Sequence, residues 1–438
     1  MVSVWLNPSG NKADLTNEVG AKAAALAVAA EQGRKFLALP IENSRDAATW
    51  ILASFHSAVT VVPLPPALPL PALEARLSQL PPGEVVFPGA LSFSKPDGAP
   101  PVLRPLEETW AVIFTSGTSG EPKGIALQGS ALKQSALAHA EHSGAGDACW
   151  LLDLPLYHVG GLSILSRALF LGAPFALGPS RFDAAGTSAW INSGLVQGLS
   201  LVPTTLFRLL KETSVDFAKL RLILLGGAAA DPELLTAAKT RGAPIRLTYG
   251  MTEHCSQIAS EKEPGAGLEP LPGVELRFDP DGEVLVRSSA LAAGFYRGGS
   301  KHVLPLLNGF FATGDLGEFQ DGRLNLHGRK SDLIITGGMK VFPLEIEREI
   351  ARIPGVLDCA VTSAPDPEWG EILCAAITER SPGEFDQSLV REALARNLEP
   401  RKIPRRWSIV TSIPRTATGK IQRAELRRLV DPSTPTRS

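Results

Sequence analysis

No C-x-x-C pair occurs among the four cysteines of this chain; Cys149, Cys255, Cys359 and Cys374 are scattered. That excludes a disulfide framework and a sulfur-ligated zinc site, and it points to a reducing compartment. Charge of one sign is also missing. A formal net charge of -2 creates no field that would hold nucleic acid or an anionic membrane. One local basic cluster stands out: Arg396, Arg401, Lys402, Arg405 and Arg406. No uninterrupted apolar run reaches the roughly 18–20 residues of a membrane span. The opening "MVSVWLNPSGNKADLTNE" lacks the basic flank and apolar run of a secretory signal. A cytoplasmic protein without a membrane span and without a nucleic-acid partner is the expectation.

What is present is an α/β pattern in a chain of 438 residues, too long for one compact core. "TWAVIFTSG", "ACWLLDLPL", "KLRLILLGG" and "IRLTYG" read as buried strands. Between them "GSALKQSALAHAEHS", "GGLSILSRALFLG" and "DPELLTAAKTRG" read as helices. In the last of these, Asp231 fits the N-cap, Pro232 the first helical position and Gly242 the stop. Alternation of this kind predicts mainly parallel sheets flanked by helices. The texture changes near Gly273, where "GVELRFDPDGEVLVRS" and later "LGEFQDGRLNLHGR" alternate around Asp-Gly turns, the pattern of β-hairpins in a small barrel-like part. After Arg329, "PLEIEREIARIPGVLDCAVTSA" and "QSLVREALARNL" give a short α+β arrangement. The expected organisation is a large domain over residues 1–328 and a smaller one over 329–438, with the boundary at Gly328 to Asp332. The Pro/Leu-rich "VVPLPPALPLPALEARL" is expected to be a surface connection, and the tail "DPSTPTRS" has nothing to bury.

The stretch "FTSGTSGEPKG", Phe114 to Gly124, carries the first chemical signal. It matches neither the Walker A spacing nor G-x-G-x-x-G. Yet Thr115, Ser116, Thr118 and Ser119 offer hydroxyls, Gly117 and Gly120 allow close backbone approach to an anion, and Lys123 adds a cation. Taken alone, the stretch fits a phosphate clamp or a plain surface loop equally well.

Six further motifs follow: "LPLYHVGG" (Leu154 to Gly161), "LLGGAAA" (Leu224 to Ala230), "TYGMTE" (Thr248 to Glu253), "TGD" (Thr313 to Asp315), "GRKSDLIITGGMKVFPLEIE" (Gly328 to Glu347) and "PRTATGKIQR" (Pro414 to Arg423). With "TSGTSGEPKG" they resemble, in order, the motifs of the adenylate-forming superfamily of acyl- and aryl-CoA synthetases, luciferases and peptide-synthetase adenylation domains. Ser119 stands where threonine is more usual in that family. The resemblance runs from the loop to residue 423.

The resemblance implies ATP, Mg²⁺ and coenzyme A as reactants, with a small-molecule carboxylic acid as substrate. A carboxylate attacks the α-phosphate to give an acyl-adenylate, and a thiol then displaces AMP. On this reading Lys420 bridges carboxylate and α-phosphate and moves away after adenylation. Glu253 is the Mg²⁺ ligand, and Thr252 beside it bonds the α-phosphate. Gly250 and Met251 lie along the nucleotide; Tyr249 offers a face to adenine, with Gly226, Gly227 and Ala228 opposite. Asp315 accepts from the ribose hydroxyls and Arg329 is its partner. Residues 330–332 form a hinge, with Ser331 or Asp332 as pivot. Gly337 and Gly338 line the thiol's tunnel, and Lys340 stands where it would meet a phosphate. His158 sits at the mouth of the acyl pocket. His139 and His142 of "HAEH" share a helical face, but no third ligand is in sight, so no metal site is expected there.

The compact length, with "LPLYHVGGLSIL" and "YGMTEHCSQIAS", is most similar to the o-succinylbenzoate–CoA ligases of menaquinone or phylloquinone biosynthesis. A substrate of that kind has a second carboxylate, which needs a polar anchor because a buried unpaired charge is costly. Arg167, Ser256 and Gln257 are the candidates, and Thr204 and Thr205 in "VPTTLFRLL" are expected to line the same cavity. Another aryl- or acyl-CoA synthetase, an enzyme loading a carrier-protein thiol, and a non-catalytic relative remain open. Lys420, Glu253 and Asp315 count against the last of these. Oligomeric state is not legible.

Overall fold

A computed structural model describes residues 3–91, 102–116, 121–415 and 421–430. Contacts divide the chain into two units. Residues 1–226, 237–276 and 286–311 form the first, and residues 227–236, 277–285 and 312–438 the second. This division falls ahead of the Asp-Gly hairpin at 312–329, whereas the sequence pattern places the boundary behind it.

Among the described residues the first unit is built mainly on two sheets. In the larger, strands Ile245–Met251, Leu222–Leu225, Gly198–Leu201, Trp150–Leu152, Phe175–Leu177 and Ser3–Trp5 run parallel in that order. Antiparallel strands Ser256–Ser260 and Lys12–Asp14 flank them. The second sheet pairs Phe36–Pro40, Thr60–Leu64 and Thr109–Ser116 in parallel, then turns antiparallel through Pro122–Gln128 and Gly294–Arg297. The interior strands Leu222–Leu225, Trp150–Leu152 and Phe36–Pro40 are apolar throughout, as burial on both faces demands. Helices Gly129–Ser143 and Val159–Leu171 match the patterns read from the sequence, and each ends on a left-handed glycine, Gly144 and Gly172.

One expectation fails here. "VVPL" of the Pro/Leu-rich stretch is a fully buried strand, Thr60–Leu64, and the residues after it form a helix, Leu70–Leu77. Proline normally interrupts a central ladder. In this strand the pairing to Thr109–Ser116 runs through Val61 and Ala111, short of Pro63, so the missing N–H falls beyond it.

In the second unit, Val356–Asp366 and Gly370–Glu379 pair antiparallel, with Arg406–Ile409 parallel to the latter. Side chains alternate between faces. Val361, Leu373 and Ile377 pack with Ile346, Ile350 and Leu394. Ala360, Cys374 and Ala376 pack with Leu426 and Val430. Burial on both faces explains why "AAI" and "CAV" lack the polar alternation of a half-exposed sheet.

Candidate active site

Within the first unit, the strand carrying "TYGM" ends at Met251 and passes into a short 3-10 turn, Thr252–His254. Cys255 and Ser256 then take positive φ values of 50° and 119°, and the next strand runs back antiparallel. Positive φ at residues other than glycine costs about 1–3 kcal/mol each and concentrates at functional sites. A Cβ on Gly250 would lie 1.8 Å from the Ser256 carbonyl oxygen, so only glycine allows so close a return. The turn presents Thr252 and Glu253 half-exposed, while Ala292 N–H donates to the Glu253 carbonyl at 2.8 Å. Among the described residues no group of three or more His, Cys, Asp or Glu side chains could hold a metal. A single carboxylate suits a cation that keeps water and phosphate ligands rather than one caged by protein.

Gly226 closes the neighbouring strand against this one; an added Cβ would meet Thr248 Cγ2 at 2.8 Å. Tyr249 and Met251 pack partly buried on the core. The strands Thr109–Ser116 and Pro122–Gln128 meet with Thr115 opposite Lys123. The Lys123 ammonium rests over the Phe295 ring, 4.0 Å from its centroid, and the Thr115 hydroxyl donates to the Lys123 carbonyl at 3.5 Å. Gly117, Thr118, Ser119 and Gly120 lie outside the described residues, as does Lys420.

His158 is the N-cap residue of helix Val159–Leu171, half-buried and 4.7 Å from the Tyr157 ring. The turn before it is clamped by a residue that the sequence reading did not single out. Buried Asn43 donates to the Leu154 carbonyl at 2.7 Å and accepts from Leu156 N–H at 2.9 Å. Leaving a buried backbone group unpaired costs about 1–3 kcal/mol. Asn43→Ala is therefore expected to lower the urea midpoint of unfolding, and to lower turnover further at sub-denaturing urea by loosening His158.

Arg167, Ser256 and Gln257 do come together. They line one small cavity with Ser135, His139 and Ser163. Arg167 is buried, its guanidinium 4.0 Å above the Trp150 ring. It donates to the Ser163 carbonyl and hydroxyl, each at 3.1 Å. No acidic side chain lies within 4 Å of it among the described residues. Burial pushes its pKa down, because a cation without a counter-charge is poorly solvated there. Thr204 and Thr205 do not join this cavity. Thr204 is exposed, and Thr205 caps its own helix, bonding Val202 N–H and carbonyl at 3.0 and 2.9 Å. A hydroxyl three residues beyond a helix start serves the local backbone first.

In the second unit the antiparallel ladder sets Asp315 opposite Arg329, with Arg329 Nε 2.7 Å from Asp315 Oδ1. Asp315 is buried, its N–H held by the Thr313 hydroxyl at 3.1 Å. Gly227 has a φ of 82°, and Ala228 beside it is half-buried. The Lys330–Asp332 turn holds Ser331 and Asp332 close, with Ser331 Oγ 3.3 Å from Asp332 Oδ1. Asp332 is also bound by Arg423 at 2.9 Å, and Arg423 reaches Glu347 at 2.8 Å. This partly buried network was not anticipated, since its partners stand far apart in the chain. Gly337 and Gly338, with φ of 54° and 77°, make the two-residue turn of a hairpin. A Cβ on Gly337 would strike Trp369 at 2.5 Å. Lys340 is paired with Asp281 at 2.9 Å.

These features belong to a nucleotide-dependent enzyme class, and the chain is a member of the AMP-binding enzyme family. Residues 80–296 match the model of the AMP-binding enzyme, and residues 345–420 that of its C-terminal domain. The 2-succinylbenzoate–CoA ligase of Listeria monocytogenes is 35% identical over 338 residues, covering 74% of this chain and 72% of its own length. The o-succinylbenzoate CoA synthetase (MenE) from Bacillus subtilis, in complex with the acyl-adenylate intermediate OSB-AMP, has a TM-score of 0.83 at 27% identity. That match covers 97% of this chain and 94% of the other. ATP-bound MatB from Rhodopseudomonas palustris has a TM-score of 0.85 at 26% identity, with the same coverages. No helix among the described residues is long and apolar enough to cross a membrane.

Proposed function

We propose that the chain is an ATP-dependent, AMP-forming acid–CoA ligase that acts through an acyl-adenylate on o-succinylbenzoate, the acid for which its curated relatives are named. The observation that carries the acid is Arg167: a buried cation with no acidic partner among the described residues, facing a cavity lined by serines and Gln257. Such a charge is unfavourable unless a ligand supplies the anion. A spectator carboxylate would be that anion once the cavity, which has room for about one water, widens to admit it; a monocarboxylic fatty acid would leave the guanidinium unanswered.

The remaining roles follow the chemistry. Glu253 would hold Mg²⁺, which offsets the charge of the ATP phosphates. Thr252 and the backbone around Gly250 and Met251 align the α-phosphate. Thr115, Ser116, Lys123 and the glycines and hydroxyls of 117–120 hold the β- and γ-phosphates. Tyr249 and the 226–228 segment bracket adenine, and the Asp315 carboxylate, oriented by Arg329, takes the ribose hydroxyls. His158 guards the acyl group. Lys420 supplies the cation that joins carboxylate and α-phosphate. The domain of residues 329–438 turns about Ser331 or Asp332 between half-reactions, and Gly337, Gly338 and Lys340 then meet coenzyme A. Four buried cysteines that form no disulfide fit a cytoplasmic setting, and the product is an intermediate on the way to menaquinone or phylloquinone.

ATP–pyrophosphate exchange with a panel of carboxylic acids, with and without coenzyme A, tests this. The expected result is exchange with o-succinylbenzoate and thioester formation only when coenzyme A is added. Exchange with no acid sinks the enzyme reading. A large preference for a monocarboxylic acid removes the assigned substrate and leaves the class.

A further inference from the structure

The acid cavity contains a second layer that neither the motifs nor the relatives assign. Arginine can only donate hydrogen bonds, so the direction of every bond beyond it is set. Arg167 Nη1 stands 3.3 Å from His139 Nε2, which must therefore be the acceptor nitrogen. The Ser143 hydroxyl, 3.4 Å away, is free to donate to the same nitrogen. The proton of the neutral imidazole is then on Nδ1, 2.8 Å from Gln257 Oε1. That fixes the Gln257 amide, whose Nε2 donates to Thr248 Oγ1 at 2.9 Å. Thr248 Oγ1 in turn donates to the Ala259 carbonyl at 3.1 Å. Each donor meets an acceptor; the relay passes through Thr248, on the strand that continues into Tyr249, Gly250 and Met251, and closes on the neighbouring strand at Ala259.

From this we infer that His139 is a positioning residue for substrate selection: its neutral imidazole holds Arg167 toward the cavity and keys it to the nucleotide-facing strand through Gln257 and Thr248. The inference rests on the reading of Arg167 as the anchor of the spectator carboxylate. His139 is fully buried, and its edge meets the Trp150 ring at 5.2 Å, the ring Arg167 also covers. Burial and the neighbouring Arg167 charge push its pKa well below the ordinary value, so the accepting form persists. An imidazolium would present a second cation to Arg167 and reverse the relay. A histidine in this place serves as a fixed acceptor.

The experiment compares kcat/KM for o-succinylbenzoate with kcat/KM for an analogue lacking the spectator carboxylate, alongside the KM for ATP. Three proteins are tested against wild type. His139→Leu removes the acceptor at similar volume and is expected to lower the ratio roughly tenfold or more, the scale of one hydrogen bond to a charged group. The loss should lie in KM for the acid, with KM for ATP unchanged. His139→Gln keeps one acceptor and one donor and should restore most of the ratio. Arg167→Met should collapse the ratio. If Arg167→Met collapses it and His139→Leu leaves it within twofold, the positioning role is wrong and the anchor reading stands. If Arg167→Met also leaves it unchanged, the anchor reading fails and takes this inference with it. An equal loss for both acids and ATP in His139→Leu would mean a packing role alone and overturns the proposal. Should His139→Leu fail to fold, Thr248→Val cuts the relay at its far end, and an unchanged ratio there overturns it as well.

Discussion

Replacing Arg167 by methionine is expected to raise the KM for o-succinylbenzoate about a hundredfold, or about 2.7 kcal/mol at 1.36 kcal/mol per decade. KM for ATP should stay within about twofold. The size follows from truncating one partner of a buried, hydrogen-bonded charge pair, which costs about 2–5 kcal/mol, much of it from stranding the other charge. Arg167 makes three bonds, to Ser163 and His139, before any ligand arrives. Its head is thus already oriented, and little ordering is left to oppose binding. The same burial predicts an asymmetry between function and stability. A desolvated cation without an acidic partner works against folding, and exchanging it for an apolar side chain of similar length is often neutral or stabilising. The Arg167→Met protein should therefore melt within a few degrees of wild type while discriminating acids poorly. Steady-state kinetics with two acids and a thermal melt on the same sample check both halves. A fall in melting temperature that tracks the loss of activity would show that Arg167 acts through folding.

The elements around this site were legible because their signals are local. "GSALKQSALAHAEHS" coincides with helix Gly129–Ser143, and the Asp-Gly pairs mark hairpin turns at 279–283 and 320–323. Arg167 and its Ser163 partner are four residues apart on one helix, so their contact could be read from period alone. What escaped is non-local. His139 and Gln257 stand far apart in the chain, as do Asn43 and Leu154, and Arg423 and Glu347. No periodicity links such pairs; only the strand order does. The buried strand at 60–64 was missed for a different reason. The prolines that follow it outweighed its valines in a local reading, whereas the sheet tolerates Pro63 because the pairing on one side stops earlier. Thr204 was misplaced since a hydroxyl near a helix start reads alike as a ligand contact or a cap. The motif glycines had two meanings at once. Gly250 and Gly337 are demanded by the chain's own packing, and their place in a family motif alone could not separate that need from a ligand's.

Lys420→Ala is expected to slow adenylation by roughly a hundred- to a thousandfold, the usual loss when one preorganised donor to a developing charge is removed. Thioester formation from supplied acyl-adenylate should change little. The first half-reaction brings a carboxylate and a triphosphate together, so a cation between them matters most there; the second joins a thiol to a mixed anhydride whose phosphoryl group carries a single negative charge, the pyrophosphate having left. A lysine suits the task as a compact charge on a long stem. Residues flanking it are tied to the second unit's own framework. Arg415 bridges to Ile421, Gln422 N–H donates to the Pro414 carbonyl at 2.9 Å, and Arg423 binds Asp332 and Glu347. This gives the control. Arg423→Met strands Glu347, which accepts Val361 N–H at 2.8 Å, and breaking a buried pair in this way costs about 3–5 kcal/mol. That variant should lose stability and both half-reactions together, whereas Lys420→Ala should separate them at an unchanged melting temperature. Single-turnover pyrophosphate release and thioester formation, measured on each variant, make the comparison. If Lys420→Ala slows both steps equally, the lysine does not act at the α-phosphate, and the residue joining the two anions must be sought elsewhere in the chain.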